Sequence, residues 1–141
     1  MPRRISARLA GVIEALPLHE GMRVLEIGCG TGAAARAVLE RIGNGHVLAI
    51  DRSAKAIALA NASSAAELAT GRLEFRQVSV EDLMLEKDEE PYDLAFAVRV
   101  GALDGRHPEA GRVAVERIRQ VLVQNGRLFI DGNPLKEVPL G

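Results

Sequence analysis

Tryptophan is absent from this chain, aromatic residues make up only 3% of it, and it carries a single cysteine. Without tryptophan no tryptophan-lined substrate cage can form, and so few rings argue against stacking platforms for single-stranded nucleic acid. One cysteine excludes an internal disulfide and fits a reducing, cytoplasmic setting. No apolar run approaches the length of a membrane span, and Met1-Pro-Arg-Arg4 lacks the apolar stretch of a secretory signal. Dominance of one charge sign is missing too. The net charge is −1 with acids and bases well mixed, which argues against binding nucleic acid or anionic membranes through a general field. Arg3, Arg4 and Arg8 make the N-terminus locally basic and read as a solvated helix face. No residues have metal-ligand spacing, and no repeat, low-complexity segment or linker is visible.

What is present is apolar material: 48% of 141 residues, enough for one domain (1–141) with a single core. Ile5, Leu9, Val12, Ile13 and Leu16 fall at helical spacing and predict an amphipathic first helix that stops before Pro17. Arg23–Ile27 reads as a strand. Thr31 or Gly32 opens a helix with Ala34, Ala37, Val38 and Ile42 inward, ending at Gly43-Asn-Gly45. His46–Ile50 is a second strand, and Ser53 caps an alanine-rich helix running to Thr70-Gly71. Leu73 and Phe75, with Val78 as a candidate third member, mark a third strand, Asp82–Pro91 an acidic loop or short helix, and Tyr92–Val100 an apolar strand broken only by Asp93 and Arg99. After the loop Gly101–His107, Pro108 starts a helix carrying Val113, Val115, Ile118, Val121 and Leu122. Asn125-Gly126 then turns into the last strand, Arg127–Ile130.

Strands alternate with helices, and the central strands are apolar on both faces. That pattern predicts an α/β fold: a doubly wound parallel sheet in a three-layer α/β/α arrangement. Right-handed crossovers, with a ligand turn after the first strand, give the Rossmann-like order 3-2-1-4-5.

The ligand turn is Val24-Leu-Glu-Ile-Gly28-Cys-Gly30-Thr-Gly32-Ala-Ala-Ala35, a buried strand entering a glycine-rich turn and leaving as a helix. Backbone exposed at the carboxyl end of a parallel strand, beside a helix N-terminus, suits an anionic or carboxylate-bearing ligand. Nineteen residues after Gly32, at the end of the next apolar run, stands Asp51, and an acid there is the usual partner of a ribose diol. Gly28 to Ala33 also satisfies the loose dinucleotide pattern, so the glycines alone do not choose the nucleoside. Glu26, two positions before the first glycine, would repel a pyrophosphate and suit an ammonium group. S-adenosylmethionine offers an ammonium, a sulfonium and a carboxylate.

Glu-Ile-Gly-Cys-Gly-Thr-Gly, followed by Ala-Ile-Asp51 at the next strand end, resembles the class I S-adenosylmethionine-dependent methyltransferases, over about Val24 to Asp131. The resemblance implies that Gly28, Cys29, Gly30 and Gly32 line the methionine part of S-adenosyl-L-methionine. It also implies that Glu26 reaches the ammonium group, unless its carboxylate simply accepts N–H bonds from the turn. Asp51 would hold the ribose hydroxyls, or else cap the helix near Ser53. Arg52 either flanks the adenine or is merely exposed. Glu81 or Asp82 would meet the exocyclic amine of adenine, with Asp82 preferred on the pattern acid-Asp-Leu. Family members often carry asparagine or aspartate near the transferable methyl, where this chain has Arg99. That arginine either joins the cofactor site, holds a substrate carboxylate or phosphate, or pairs with Glu26 or Asp104. His107, in the loop over the pocket, is the histidine placed to act as a base, or has a bland surface role. His19 is a candidate cover for the cofactor, and His46 starts its strand at the far end.

The implied function is methyl transfer to a small-molecule acceptor, with a cofactor-binding module or partner subunit as the alternative and a nicotinamide oxidoreductase third. A pocket big enough for a second ligand next to Arg99 and the Tyr92 side would favour the enzyme over the binding module. The family usually adds an antiparallel hairpin after the fifth strand, and eleven residues beyond Ile130, including Pro134 and Pro139, are expected to be too few for it. The fifth strand would then be an apolar edge inviting a homodimer or a partner chain.

Overall fold

Apolar side chains that alternate along a strand must be covered on both sides, and the sheet of this protein meets that demand with helices on each face. The computed structural model describes residues 5–103 and 107–135. Five parallel strands, β1 (Arg23–Ile27), β2 (His46–Asp51), β3 (Leu73–Gln77), β4 (Tyr92–Ala97) and β5 (Leu122–Ile130), lie in the predicted order 3-2-1-4-5. A sixth, β6 (Asn133–Pro134), runs antiparallel along β5. On one face Val24, Val47, Phe96 and Phe129 pack with Ile13 of α1 (Ala7–Glu14) and Val38 of α2 (Ala33–Leu39). Leu25, Leu48, Ala95 and Leu128 point the other way, onto Val115 and Ile118 of α5 (Pro108–Val121). Burying one such aliphatic side chain contributes roughly 1.5–3 kcal/mol, so the two-faced pattern fixes the register of every central strand.

Three expectations are corrected. The alanine-rich helix is two helices, α3 (Ala54–Ser63) and α4 (Ala65–Ala69), broken at Ser64. Ser64 is fully buried with φ −127°, and its hydroxyl accepts from Arg36 Nη1 at 2.9 Å. The same guanidinium nitrogen donates to the Thr31 carbonyl at 2.9 Å, so the break is tied to α2. A buried hydroxyl needs a partner, and this one finds it by leaving the helix. Second, Asn125-Gly126 is not a turn before the last strand. It lies inside β5, where the pairing steps from Tyr92↔Leu122 to Leu94↔Arg127.

Third, the hairpin for which the tail is expected to be too short is present in a minimal form. Asp131 and Gly132 have φ of 52° and 87°, the two positive values that a type I′ turn requires. Ile130 and Phe129 pair with Asn133 and Pro134, and the Leu135 N–H donates to the Leu128 carbonyl at 2.8 Å. The carboxyl half of the β5 edge is therefore covered, and Leu135 packs against the α5-side core. Val138 and Leu140 lie outside the described residues.

Candidate functional site

A cavity of about 550 Å³ opens at the carboxyl ends of β1 to β4, floored by Ile27 and Ile50 from the α5-side core. Gly28, Asp51, Arg52, Glu81, Arg99 and His107 line it. Six of the residues singled out from the sequence thus converge on one space. Its size lies within the range of small-ligand pockets.

The turn after β1 owes its shape to three glycines in the left-handed region, Gly28, Gly30 and Gly32, with φ of 71°, 54° and 88°. Their surroundings differ. A Cβ at Gly32 would sit 2.8 Å from Phe75 Cζ, and one at Gly28 would sit 2.7 Å from Val100 Cγ2. At Gly30 nothing lies within 4 Å, so that backbone faces open space. Gly32 is a packing glycine, whereas Gly30 leaves room for another group.

Asp51 ends β2 and holds this turn in place. Its Oδ2 accepts the Gly30 N–H at 3.0 Å and its Oδ1 accepts the Ser53 N–H at 2.9 Å. The cap of α3 is Ser53 itself, whose hydroxyl accepts the Ala56 N–H at 3.1 Å. Each carboxylate oxygen has a second lone pair, which leaves acceptor capacity toward the cavity.

Glu26 is placed elsewhere than the cavity wall. It alternates with Leu25 and Ile27, so it faces the α2 side, only 3% exposed. Burial, reinforced by the Asp51 charge, pushes its carboxyl up to about 8, with the Ala35 N–H and Arg36 partly offsetting this. Its Oε1 has no hydrogen-bond partner among the described residues. An unpaired buried carboxyl oxygen is costly, and a cation or donor arriving at the turn would relieve it. Cys29 is buried inside the turn, and burial raises its thiol to about 12, far from a reactive thiolate.

After β3 a 3₁₀ turn (Val80–Asp82) brings Glu81, rather than the preferred Asp82, to the cavity. Asp82 is exposed and accepts from the Ser79 hydroxyl at 2.9 Å. A single turn points neighbouring side chains in different directions, and of the two acids only Glu81 lines the cavity.

Arg99 follows β4 in the left-handed region, φ 56°, with an exposed side chain on the cavity wall. Its N–H donates to Asp131 Oδ1 at 2.9 Å, while the Asp131 N–H donates to the Ala97 carbonyl at 2.9 Å. No ion pair joins it to Glu26; Asp104 lies outside the described residues. His107, exposed at the N-terminus of α5, lines the same wall.

Two placements are corrected. His19 lies before the amino end of β1, its Nδ1 on the Glu20 carbonyl, away from the cavity; His46 begins β2 at that end, as expected. Tyr92 is also at the amino ends of the strands, where its hydroxyl donates to Glu89 Oε2 at 2.5 Å and Arg23 stacks on its ring. Sequence reasoning missed Ser79, Val100 and Asp131. The first two sit directly after strands, where ligands gather in such sheets. The third carried an unread signal, the Asp-Gly hairpin dipeptide.

Comparison with known proteins agrees with this geometry. A family model described as a methyltransferase domain matches residues 24–126. A protein-L-isoaspartate O-methyltransferase of Methylorubrum populi is 38% identical over 137 residues, covering 89% of this chain and 52% of that protein. The chain therefore spans about half the length of the curated relative it matches. The crystal structure of the (4+2)-cyclase SpnF is similar with a TM-score of 0.70 and 26% identity, over 86% of this chain and 42% of that one. A methyltransferase of Thiobacillus denitrificans, solved in complex with S-adenosyl-L-homocysteine, is similar with a TM-score of 0.69 and 22% identity, over 89% and 48% of the two chains. The match over residues 24–126, on a sheet of this order, makes the chain a member of the S-adenosylmethionine-dependent methyltransferase family.

Proposed function

We propose that the cavity at the carboxyl ends of β1 to β4 binds S-adenosylmethionine, and that the chain directs its methyl group to a small organic acceptor. The carrying observation is the convergence of Gly28, at the start of the glycine turn, with Asp51 and Glu81 on one cavity. Gly30 offers backbone beside open space, with nothing within 4 Å of where a Cβ would stand, and Glu26 Oε1 is a buried oxygen lacking a partner among the described residues. Both features fit an amino-acid moiety at the turn, its ammonium toward Glu26.

When bound, the cofactor supplies a sulfonium-activated methyl group. The residues of the chain bind and orient. In this reading Asp51 accepts from the ribose hydroxyls, Glu81 from the adenine amine, and Arg52 flanks the ring. The chain would hold an acceptor nucleophile in line with that methyl group, for which the thioether is the leaving group. Holding the reactants at attack distance can lower the barrier by roughly 7–11 kcal/mol. A strong base is needed only for a poor nucleophile, for which His107 is the group at hand.

Saturating S-adenosylhomocysteine should raise the melting temperature and NAD should not, since ligands stabilise only the state that binds them. Stabilisation by NAD alone would overturn the reading. A screen of labelled methyl transfer to small acceptors tests the second half.

A second reading makes the chain a cofactor-binding module acting with a partner. One observation favours it. Beside the amino half of β5, a groove of about 690 Å³ is lined by Val115, Ile118, Leu122, Leu128 and Leu135. In this reading a second copy or a partner chain covers that edge. Light scattering at micromolar concentration tests it: a clean species at the chain mass of 15.1 kDa excludes the homodimer.

A further inference from the structure

Arg99 occupies a backbone conformation that glycine or asparagine would adopt more cheaply. Its φ of 56° costs a side-chain-bearing residue roughly 1–2 kcal/mol. The conformation is held by two bonds between strand ends, Arg99 N–H to Asp131 Oδ1 and Asp131 N–H to the Ala97 carbonyl, both 2.9 Å. Strain maintained by specific bonds at a cavity wall points to the side chain it carries. Among the described residues no carboxylate lies within ion-pair distance of the Arg99 guanidinium, Asp131 included.

The charges around the cavity are divided by strand. Asp51 ends β2 and Glu81 follows β3, while Arg99 and His107 come from beyond the end of β4 and the start of α5. β1 lies between the two groups, so Arg99 stands two strand spacings, roughly 10 Å, from Asp51. Arg52, exposed beside Asp51, adds a cation to the acidic side. With the nucleoside on the Asp51 side, the Arg99 side is left for the acceptor.

We propose that Arg99 is a specificity-determining residue that docks a carboxylate of the methyl acceptor, with His107 as a second hydrogen-bonding group. The proposal rests on the reading that the cavity takes S-adenosylmethionine. Guanidinium presents a planar fork that matches a carboxylate with two parallel bonds. A monoanion suits this wall better than a phosphate dianion, because Asp51 and Glu81 already place negative charge around the cavity.

The test uses amide NMR of the full chain saturated with S-adenosylhomocysteine, with succinate as carboxylate probe and succinamide as neutral control. Succinate should shift the Arg99, Val100 and His107 amides saturably, and succinamide should not. In Arg99→Gln the succinate response should weaken at least tenfold, while S-adenosylhomocysteine affinity stays within about twofold. Arg99→Gly, which relieves the backbone strain, should give the same loss and so separates charge from folding. Succinate binding in both variants as tight as in the unaltered chain overturns the proposal, as does a tighter response to inorganic phosphate. A tenfold loss of S-adenosylhomocysteine affinity in Arg99→Gln also overturns it, by assigning the arginine to the cofactor. If S-adenosylhomocysteine fails to bind the unaltered chain, the cofactor reading falls first and this proposal with it.

Discussion

Asp131 accepts the backbone N–H of Arg99 at 2.9 Å, so the side chain of a hairpin turn sets the backbone of the residue that ends the neighbouring strand. Both residues have positive φ, 52° and 56°, and each would be a strained outlier alone. The short hairpin thereby fixes the wall of the cavity as well as covering an edge.

Asp131→Ala should expose this coupling. It removes an acceptor and puts alanine where φ is positive, so stability should fall by about 1–2 kcal/mol. At this chain length that lowers Tm by roughly 2–8 °C. Asp131→Asn keeps an acceptor and tolerates the left-handed region, and should recover most of the loss. Thermal scans of the three proteins check both. Equal losses in the two variants would show that the charge of Asp131, rather than the bond, is what counts.

Asp51→Asn should affect both the apo protein and its complex. Both carboxylate oxygens accept backbone N–H groups, and asparagine can replace only one. Apo stability should drop by about 1 kcal/mol. Losing charge-assisted bonds to ribose hydroxyls should also weaken S-adenosylhomocysteine about tenfold or more. Calorimetry that finds stability reduced and affinity intact would make Asp51 a purely structural residue.

Glu26 predicts a pH dependence whose sign follows from its raised carboxyl. Its ordinary value is 4.5, and burial lifts it to about 8 in the fold. Between these limits the unfolded chain has released a proton that the native chain still holds. Stability therefore falls as pH rises through this window, by up to about 1.4 kcal/mol per pH unit. Glu26→Gln should remove that slope, so its stability relative to the unaltered chain should improve from pH 5 to pH 8 in urea titrations. If a ligand ammonium meets Glu26, binding at pH 7 should release close to one proton, read from calorimetry in buffers of different ionisation enthalpy. No release would place the ammonium elsewhere.

Gly30→Ala and Gly32→Ala should part company. Alanine at Gly32 adds a clash with Phe75 to an unfavourable φ, whereas at Gly30 only the backbone term applies. Gly32→Ala should therefore be the more destabilising of the two in the apo protein. Gly30→Ala should cost about 1 kcal/mol of stability and yet weaken S-adenosylhomocysteine at least tenfold, because its methyl fills the open space at the turn. Unchanged affinity in Gly30→Ala would remove the turn from the binding surface.

By itself the sequence determined the sheet order, the two-faced core and the glycine turn. Those features are local or periodic: Val24, Leu25 and Ile27 declare a strand buried on both faces, and Gly28, Gly30 and Gly32 declare a turn that other residues cannot make. The residues brought to the cavity, Asp51, Arg52, Arg99 and His107, were also legible, because strand ends in such a sheet share one side. Tertiary structure decided what depends on direction and partner. Glu26 went beneath α2, since strand alternation sends it to the face opposite Ile27. Glu81 took the cavity position, while Asp82 accepts from the Ser79 hydroxyl at 2.9 Å. Ser64 broke the alanine-rich helix to meet Arg36, a residue 28 positions away. The anchoring of Arg99 by Asp131, 32 residues downstream, arises only when two strand ends meet. Periodicity carries no information about which distant hydrogen-bonding groups will face each other, and those groups shape the site.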